Sequence, residues 1–413
     1  MHVPPSSAVS RMIRCGIAIL LAGSWICVSR AAEFDAGKLA AIRGRMQKFV
    51  DQPGPSQLAG LVTVVGTSQG IVEQEAIGFQ NIEDKQPMQK DSLFRIASMT
   101  KPITAIGIMI LQAEGKLSVE DPVEKYLPEF TGQMLIDRRE GDTLVLKKPP
   151  RPITLRDLLT HTSGLPGGFP PGLEDLYFKR NYSLAEATMI QSQRPLEFPP
   201  GSKWAYSNAG IDTLGRIIEV TSGRSYEDFL SERVFKPLGM TDTTCYPSYE
   251  QRKRLAGLYE IKDGKLSYVG YQLIGPGDGS RHPIPAGGLY STAADLAKLY
   301  AMMLRGGKAG GKQILSAAAV KQMTSLQTGE LDCGFTPGMG YGFGWAVVQK
   351  PQGVHEMLSP GTFGHGGAFG TQVWIDPKRD FFVILLVQRV AMPNGDASSP
   401  RRELQLAAVE AIK

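Results

Sequence analysis

The chain carries the segment LFRIASMTKP at residues 93–102, directly ahead of a long apolar stretch. On a helix, positions i and i+3 share one face, so Ser98 and Lys101 would point into the same space. A serine hydroxyl becomes a good nucleophile when a nearby base takes its proton, and a desolvated lysine can be that base. The alternative is a polar helix start capped by Ser98, which the tetrapeptide alone favours because composition makes a chance match expected.

A second motif, Tyr206-Ser207-Asn208, lies in a Pro- and Gly-rich loop ahead of a predicted helix at 210–221. A tyrosine near a lysinium can have a lowered pKa and relay a proton to a leaving group. We expect Asn208 to hydrogen-bond Lys101 and a substrate amide. The alternative is a structural turn in which Asn208 caps the next helix and Tyr206 packs.

A third motif, FGHGGAFG, occupies residues 363–370 just before a predicted strand. Glycine lets a backbone approach a ligand closely, so this strand edge could present an N–H group to an oxyanion. The candidate residues for substrate and oxyanion binding here are His365, Gly366, Gly367 and Ala368. The alternative is a tight glycine turn with a structural histidine.

Residues 1–32 are typical of a cleaved secretory signal peptide. Two arginines precede an apolar run that ends at Val28, small residues follow it, and no acidic residue occurs before Glu33. We therefore expect export to the periplasm or the cell exterior, with a retained N-terminal anchor as the alternative. No other segment has the length and apolarity of a membrane span.

Charge and cysteine content exclude some partners and cofactors. The chain has 45 Lys and Arg against 40 Asp and Glu, and cleavage after residue 32 would remove three arginines. The small remaining excess indicates no nucleic-acid partner. Cys245 and Cys333 would remain, as one disulfide or as two buried or free thiols. The five histidines show no metal-ligand spacing, so we expect no metal and no cofactor.

The order of predicted elements indicates an α/β (α+β) fold. The chain begins with a helix and strands, continues with a long, mainly helical middle part, and ends with strands and a helix. The terminal elements are a helix at 33–50, strands at 61–65, 71–79, 372–375 and 381–387, and a helix at 402–412. Such a chain builds one antiparallel sheet from both ends, flanked by the terminal helices, with an inserted helical lobe beside it.

We expect a single catalytic domain over residues 33–413. Its α/β lobe would comprise 33–95 and 340–413, and its mainly helical lobe 96–339. Substrate specificity would depend on loops rich in Pro, Gly or charge, at 131–152, 165–205 and 257–286.

A competing nucleophile motif, Gly-x-Ser-x-Gly, occurs at residues 66–70 with Ser68 at its centre. The corresponding elbow of α/β-hydrolases needs a strand before it and a helix after it. Here the following residues alternate like a second strand. We therefore predict a hairpin turn and assign no catalytic role to Ser68.

The motifs Ser-x-x-Lys, Tyr-x-Asn and His-x-Gly, in this order, resemble the active-site motifs of the serine β-lactamase-related superfamily. This superfamily includes class C β-lactamases, serine D-Ala-D-Ala carboxypeptidases and family VIII esterases. The similarity extends over most of residues 40–410. Further matching segments are ITLRDLLTHTSGL at 153–165, PLGM at 237–240, PAGGL at 285–289 and GYGFGW at 340–345.

The resemblance implies a β-lactamase/transpeptidase-like fold and a role for each motif residue. Ser98 would be acylated, Lys101 would activate it, and Tyr206 would share the proton transfer. Asn208 would hold Lys101 and substrate, and the N–H groups of Ser98 and Ala368 would form an oxyanion hole. His161 and Ser163 belong to a signature that we interpret as structural.

The third motif departs from the β-lactamase pattern, because His365-Gly366-Gly367 replaces the usual Lys-Thr-Gly. The missing lysine and threonine normally help to bind a substrate carboxylate, so less charged substrates are favoured. The leading hypothesis is an exported serine hydrolase acting on small carboxylic esters or amides. The alternatives are a D-alanyl-D-alanine carboxypeptidase or weak class C-type β-lactamase with peptidoglycan-related substrates, and a penicillin-binding sensor or inactive scaffold.

Overall fold

The computed structural model of the chain describes residues 1–2, 32–168, 170–173, 180–270, 281–392 and 395–413. The predicted signal peptide lies outside these ranges except for its first two residues and its last. Within the described ranges, no helix combines the length and the apolar composition needed to cross a bilayer.

The described residues form the following β-strands and α-helices, numbered in the order of the chain. The strands are β1 (Gly60–Thr67), β2 (Gly70–Asn81), β3 (Gln86–Pro87), β4 (Phe94–Arg95), β5 (Leu135–Glu140), β6 (Thr143–Lys147), β7 (Tyr259–Lys262), β8 (Lys265–Tyr268), β9 (Tyr290–Ser291), β10 (Lys308–Ala309), β11 (Lys312–Gln313), β12 (Met339–Tyr341), β13 (Ala346–Val348), β14 (Phe363–Gly366), β15 (Gln372–Asp376) and β16 (Phe381–Val387). The helices are α1 (Ala36–Asp51), α2 (Thr100–Ala113), α3 (Leu155–Leu159), α4 (Leu184–Ser192), α5 (Asn208–Ser222), α6 (Tyr226–Leu230), α7 (Lys236–Leu238), α8 (Tyr249–Lys253), α9 (Ala293–Leu304), α10 (Ala317–Thr324) and α11 (Ser399–Ala411).

Both ends of the chain build one antiparallel sheet of eight strands, in the order β12-β13-β14-β15-β16-β1-β2-β3. The two ends meet where β1 pairs with β16 on one side and with β2 on the other, so that Thr63 lies opposite Leu385 and Glu75. The predicted α/β (α+β) fold with an antiparallel sheet is therefore confirmed.

Each face of the sheet packs against a different set of helices, because successive strand residues point to opposite faces. Leu61 and Val65 belong to the same apolar cluster as Ile42 of α1 and Leu404 of α11. The next residues on the strand face the other way, into the larger core that contains α2, α5 and α9. The terminal helices thus cover one face, while the other face abuts the part of the chain that carries Ser98.

The structure departs from the sequence interpretation in the middle part and at the starts of the two terminal helices. The first helix begins at Ala36 rather than 33, because the Asp35 side chain caps it by accepting from the N–H of Lys38. Segments predicted as specificity loops contain two hairpins, β5-β6 within 131–152 and β7-β8 within 257–286. Their strands are short and largely exposed, so the sequence lacked the alternating apolar pattern that marks a half-buried strand. The closing helix begins at Ser399 rather than 402, since Pro400 is tolerated in a first helical turn.

Two local predictions concern Ser68 and the cysteines. Residues 66–70 form the turn between β1 and β2, with no helix following, and the Ser68 hydroxyl donates to Asp380 Oδ2 at 2.7 Å. The predicted hairpin is therefore confirmed. Cys245 and Cys333 are both buried and both free, so the possible disulfide is absent. Burial raises the pKa of the Cys245 thiol to about 12, which keeps it protonated.

Candidate active site

The segment that carries Ser98 sits in a sharp turn between a short strand and a helix. β4 pairs with β9, Ala97–Met99 form a 3-10 turn, and α2 begins at Thr100. Ala97 has φ of +45°, a left-handed conformation that side chains other than glycine rarely adopt. Such strain persists only where the surroundings enforce it, and here it turns Ser98 toward an adjacent pocket.

Ser98 and Lys101 face one another as the helical spacing predicted. Lys101 Nζ lies 3.0 Å from Ser98 Oγ, and the lysine side chain is fully buried. Burial lowers the pKa of Lys101 from 10.5 to about 7, and the negative charge of Asp212 opposes that shift. A large fraction of the lysine is therefore a neutral amine near neutral pH, in hydrogen-bond contact with a hydroxyl.

Two residues that sequence reasoning missed hold the lysine in place. Lys101 Nζ donates to the carbonyl oxygen of Ala286 at 2.7 Å, and the N–H of Ala286 donates to Asp212 Oδ1 at 2.8 Å. Asp212 is buried on α5, one turn after Asn208. The i, i+4 spacing of Asn208 and Asp212 could have predicted that both side chains lie on one face of the helix. The contact between Lys101 and Ala286 could not be predicted in this way, because 185 residues separate them.

Tyr206 lies against the lysine, but its pKa moves opposite to the expectation. Lys101 Nζ is 4.6 Å from the Tyr206 ring centroid, and the phenol interacts with Ser98. Burial nevertheless raises the pKa of Tyr206 above 10, and Asp396 adds to this increase. The expected lowering is therefore wrong, because loss of hydration penalises the phenolate more than the neighbours stabilise it. The raised pKa keeps the Tyr206 phenol protonated, so this side chain can donate a proton.

His161, which the sequence indicated as structural, supports the Tyr206 loop. Its buried ring lies 4.6 Å from the Tyr206 ring, its Nδ1 accepts from the N–H of Ser207 at 3.2 Å, and its carbonyl accepts from Ala205. Burial and the nearby Lys101 hold the pKa of His161 well below 6.5, so it carries no charge at neutral pH.

Asn208 does not make the expected contact with Lys101. It is the first residue of α5, and its N–H donates to the carbonyl of Gly167 at 3.2 Å. Among the described residues, Lys101 Nζ bonds to Ser98 and Ala286 instead. Ser207 rather than Asn208 caps α5, by accepting from the N–H of Gly210. The role of Asn208 toward substrate stays a prediction.

The segment after β14 brings a second N–H group beside Ser98. A Cβ on Gly367 would lie 2.5 Å from the carbonyl oxygen of Ile96, so only glycine permits this approach. Ala368 and Ser98 line the same pocket, and within the described residues neither amide N–H donates a hydrogen bond. Ala368 lies just past the end of the strand rather than on it. Two free donors at one pocket wall can bind an oxyanion.

His365 is buried and neutral. Burial and Lys101 lower its pKa to about 3. Nδ1 therefore donates to the carbonyl of Gly366 at 2.6 Å, and Nε2 accepts from the Tyr341 hydroxyl at 3.1 Å. His365 consequently offers no positive charge where the β-lactamase pattern has a lysine.

The pocket beside Ser98 has a volume of about 250 Å³. Its walls are mostly apolar side chains and glycines, and Phe335 stands at the edge, 59% exposed, with its ring 5.0 Å from that of Tyr206. The lining side chains other than the motif residues are Phe335, Thr336, Met339, Tyr341, Ala346, Trp374, Asp396 and Arg401. A pocket of this size and character suits a small, weakly polar group attached to a reacting carbonyl.

Comparison with known proteins places this geometry in one family. The family model described as Beta-lactamase matches residues 41–408. Esterase EstB of Burkholderia gladioli is 29% identical over 387 residues, covering 86% of this chain and 92% of its own. A putative D-alanyl-D-alanine carboxypeptidase of Escherichia coli (strain K12) is 28% identical over 340 residues, covering 76% and 73%.

A solved structure is similar over nearly the whole fold. It is described as EstCE1, a hydrolase with promiscuous acyltransferase activity. It superposes with a TM-score of 0.74 at 26% sequence identity, covering 90% of this chain and 98% of its own. The sequence and the structure comparisons thus each find hydrolases among the similar proteins.

Proposed function

The chain belongs to the β-lactamase family and is a serine hydrolase, and from that premise we propose that it hydrolyses small, weakly charged carboxylic esters through an acyl-enzyme on Ser98. The observation that carries the proposal is the buried Lys101 amine, 3.0 Å from Ser98 Oγ. We further propose that the protein is exported by the leader at residues 1–32.

Acylation begins with a proton transfer from Ser98 to Lys101. The neutral amine takes the hydroxyl proton while Ser98 Oγ attacks the ester carbonyl carbon, which gives a tetrahedral intermediate and a lysinium. The carbonyl of Ala286 accepts from Lys101 and keeps Nζ aimed at the serine. The intermediate's oxygen takes its negative charge between the N–H groups of Ser98 and Ala368, each worth about 3–4 kcal/mol of barrier.

Collapse of the intermediate requires a proton for the leaving alkoxide. Tyr206, held protonated by burial, donates that proton and regains one from the lysinium, so the charges balance. In deacylation a water molecule attacks the acyl carbonyl, with its proton returning through the same groups, and Ser98 Oγ is the leaving group. Each turnover consumes one ester and one water, and releases one acid and one alcohol.

The third motif and the relatives favour esters over β-lactams. A neutral His365 and Gly366 lack the cation and the hydroxyl that bind a substrate carboxylate in the β-lactamase pattern. Two of the relatives are described as an esterase and a hydrolase with acyltransferase activity. D-alanyl-D-alanine carboxypeptidase activity is the second candidate, supported by the relative of that description.

A substrate panel tests this proposal directly. We expect p-nitrophenyl acetate and butyrate to be hydrolysed much faster than a chromogenic cephalosporin or a D-Ala-D-Ala peptide. The Ser98→Ala variant should fall to background, whereas Ser68→Ala, which changes the serine of the β1-β2 turn, should retain activity. A fluorophosphonate probe should label the wild type and Ser68→Ala but not Ser98→Ala. Loss of activity only in Ser68→Ala would refute the assignment, and an unlabelled wild type would favour an inactive scaffold.

The pH dependence of ester hydrolysis reports on Lys101. Because the base must be neutral, kcat/KM should rise with pH through about 7, the lowered pKa of Lys101. Among the described groups around Lys101, Tyr206 stays protonated and His161 and His365 stay neutral, while Asp212 supplies the negative charge that raises the lysine pKa. The acidic limb therefore belongs to the lysine.

Asp212→Asn should move this acidic limb to lower pH by up to about one unit. Asparagine keeps an oxygen that can accept from the N–H of Ala286, but it removes the negative charge that raises the pKa of Lys101. The plateau at high pH should change much less than the limb. An unchanged limb, or one that moves to higher pH, would contradict the coupling between Asp212 and the lysine.

A further inference from the structure

One charged side chain at the pocket has no role in the chemistry described above. Asp396 lines the pocket and is partly exposed. Within the described residues, its carboxylate accepts no hydrogen bond and forms no ion pair, since the only bond to Asp396 reaches its backbone carbonyl, from Arg401. A partly exposed carboxylate without a direct ion pair, at the edge of a substrate pocket, acts on the charge of whatever binds there.

The position of this carboxylate is fixed by its backbone. Gln372 Nε2 donates to the carbonyl of Gly395 at 3.3 Å, and the Arg401 guanidinium donates to the carbonyl of Asp396. A Cβ on Gly366 would lie 2.5 Å from Asp396 Oδ1 and 2.5 Å from Gln372 Nε2. The carboxylate therefore occupies the space beside Gly366, where the β-lactamase pattern has a threonine that helps to bind a substrate carboxylate.

The nearby positive charge belongs to Arg401, which lines the same pocket and attracts the Asp396 carboxylate. Arg401 is fully buried, however, with its guanidinium 4.0 Å from the centroid of the Trp374 ring and its Nη2 atom 3.0 Å from His355 Nδ1. His365 is neutral, as described above. Among the described lining residues, Asp396 is thus the charged side chain that solvent reaches, and its field also reaches Arg401 and the hydroxyls of Tyr206 and Tyr341, whose pKa values it helps to raise.

Resting on the ester hydrolysis proposed above, we infer that Asp396 selects substrates by charge. It admits esters whose acyl chain ends in an uncharged or a cationic group and rejects those whose chain ends in a carboxylate. Charges of equal sign a few ångströms apart at a partly exposed site repel strongly enough to change kcat/KM by about tenfold or more.

The test uses three matched p-nitrophenyl esters that differ only at the end of the acyl chain, which carries a methyl, a carboxylate or a trimethylammonium group. Each set is measured with acyl chains of four, five and six carbons. The kcat/KM of each charged ester is divided by that of its neutral counterpart, which gives an anionic ratio and a cationic ratio. In the wild type, kcat/KM for the anionic ester should be at least about tenfold lower than for the neutral ester. In Asp396→Asn, the anionic ratio should rise about tenfold and the cationic ratio should fall.

Opposite changes in the anionic and cationic ratios distinguish a charge effect from a structural effect, because a distorted pocket would change both ratios in the same direction. Asp332→Asn removes an exposed carboxylate from the loop next to the pocket and should leave both ratios unchanged. Ratios in Asp396→Asn that equal those of the wild type at every chain length would overturn the inference while leaving the proposed function intact. A wild type that hydrolyses none of the neutral esters would instead refute the proposed function.

Discussion

Replacing Lys101 by alanine or methionine should lower kcat/KM for p-nitrophenyl butyrate by about 10³- to 10⁴-fold or more. Lys101 Nζ is the base in contact with Ser98 Oγ, and no other described group near the serine is positioned to take its proton, since Tyr206 is protonated. Labelling of Ser98 by a fluorophosphonate probe, followed by mass spectrometry, should fall in parallel with hydrolysis. Near-wild-type turnover in either variant would refute a lysine base.

The folded state of these variants can be checked with a measurement that also reports on the lysine. Burial lowers the pKa of Lys101 to about 7 in the folded protein, against 10.5 for an ordinary lysine. The unfolded chain therefore binds this proton more tightly, so Lys101 makes the free energy of unfolding rise as pH increases from about 7 to 10.5. Lys101→Met keeps the side-chain volume and should remove this part of the pH dependence. If the difference in the free energy of unfolding between wild type and Lys101→Met stayed constant with pH, the lysine would not be desolvated.

Replacing Tyr206 by phenylalanine should lower kcat for alkyl esters by about 10²- to 10³-fold, because it removes the proton donor to the leaving alkoxide. The ring contacts with His161 and Phe335 remain available to phenylalanine, so the pocket should keep its shape and KM should change little. The loss should shrink for p-nitrophenyl esters, whose leaving group departs without a proton. Steady-state kinetics with ethyl and p-nitrophenyl butyrate measure this difference.

A matched control is Tyr341→Phe, which removes a hydroxyl from the same pocket without removing the proposed donor. The Tyr341 hydroxyl bonds to His365 and not to the serine or the lysine, so its removal should lower kcat much less for both esters. Equal losses for alkyl and p-nitrophenyl esters in Tyr206→Phe would contradict the donor role and would favour a purely structural one.

Proton-transfer roles could be assigned in part from the sequence. The spacing of Ser98 and Lys101 predicted their contact, because three residues along one helical turn fix the relative direction of two side chains. The direction of the Tyr206 pKa could not be predicted in the same way. It depends on how many apolar and aromatic groups surround the phenol, and these come from segments around residues 161, 335 and 365.

The sequence by itself determined the elements whose geometry depends on neighbours in the chain. These include the β1-β2 hairpin around Ser68, the strands at both chain ends and the spacing that sets Lys101 against Ser98. Tertiary structure decided what surrounds the reacting groups. It brought the Ala286 carbonyl to Lys101 across 185 residues, and it placed the Asp396 carboxylate beside Gly366. Desolvation and charge act through space and not along the chain, so the base strength of Lys101 and the charge preference at the pocket emerge only when distant segments pack together.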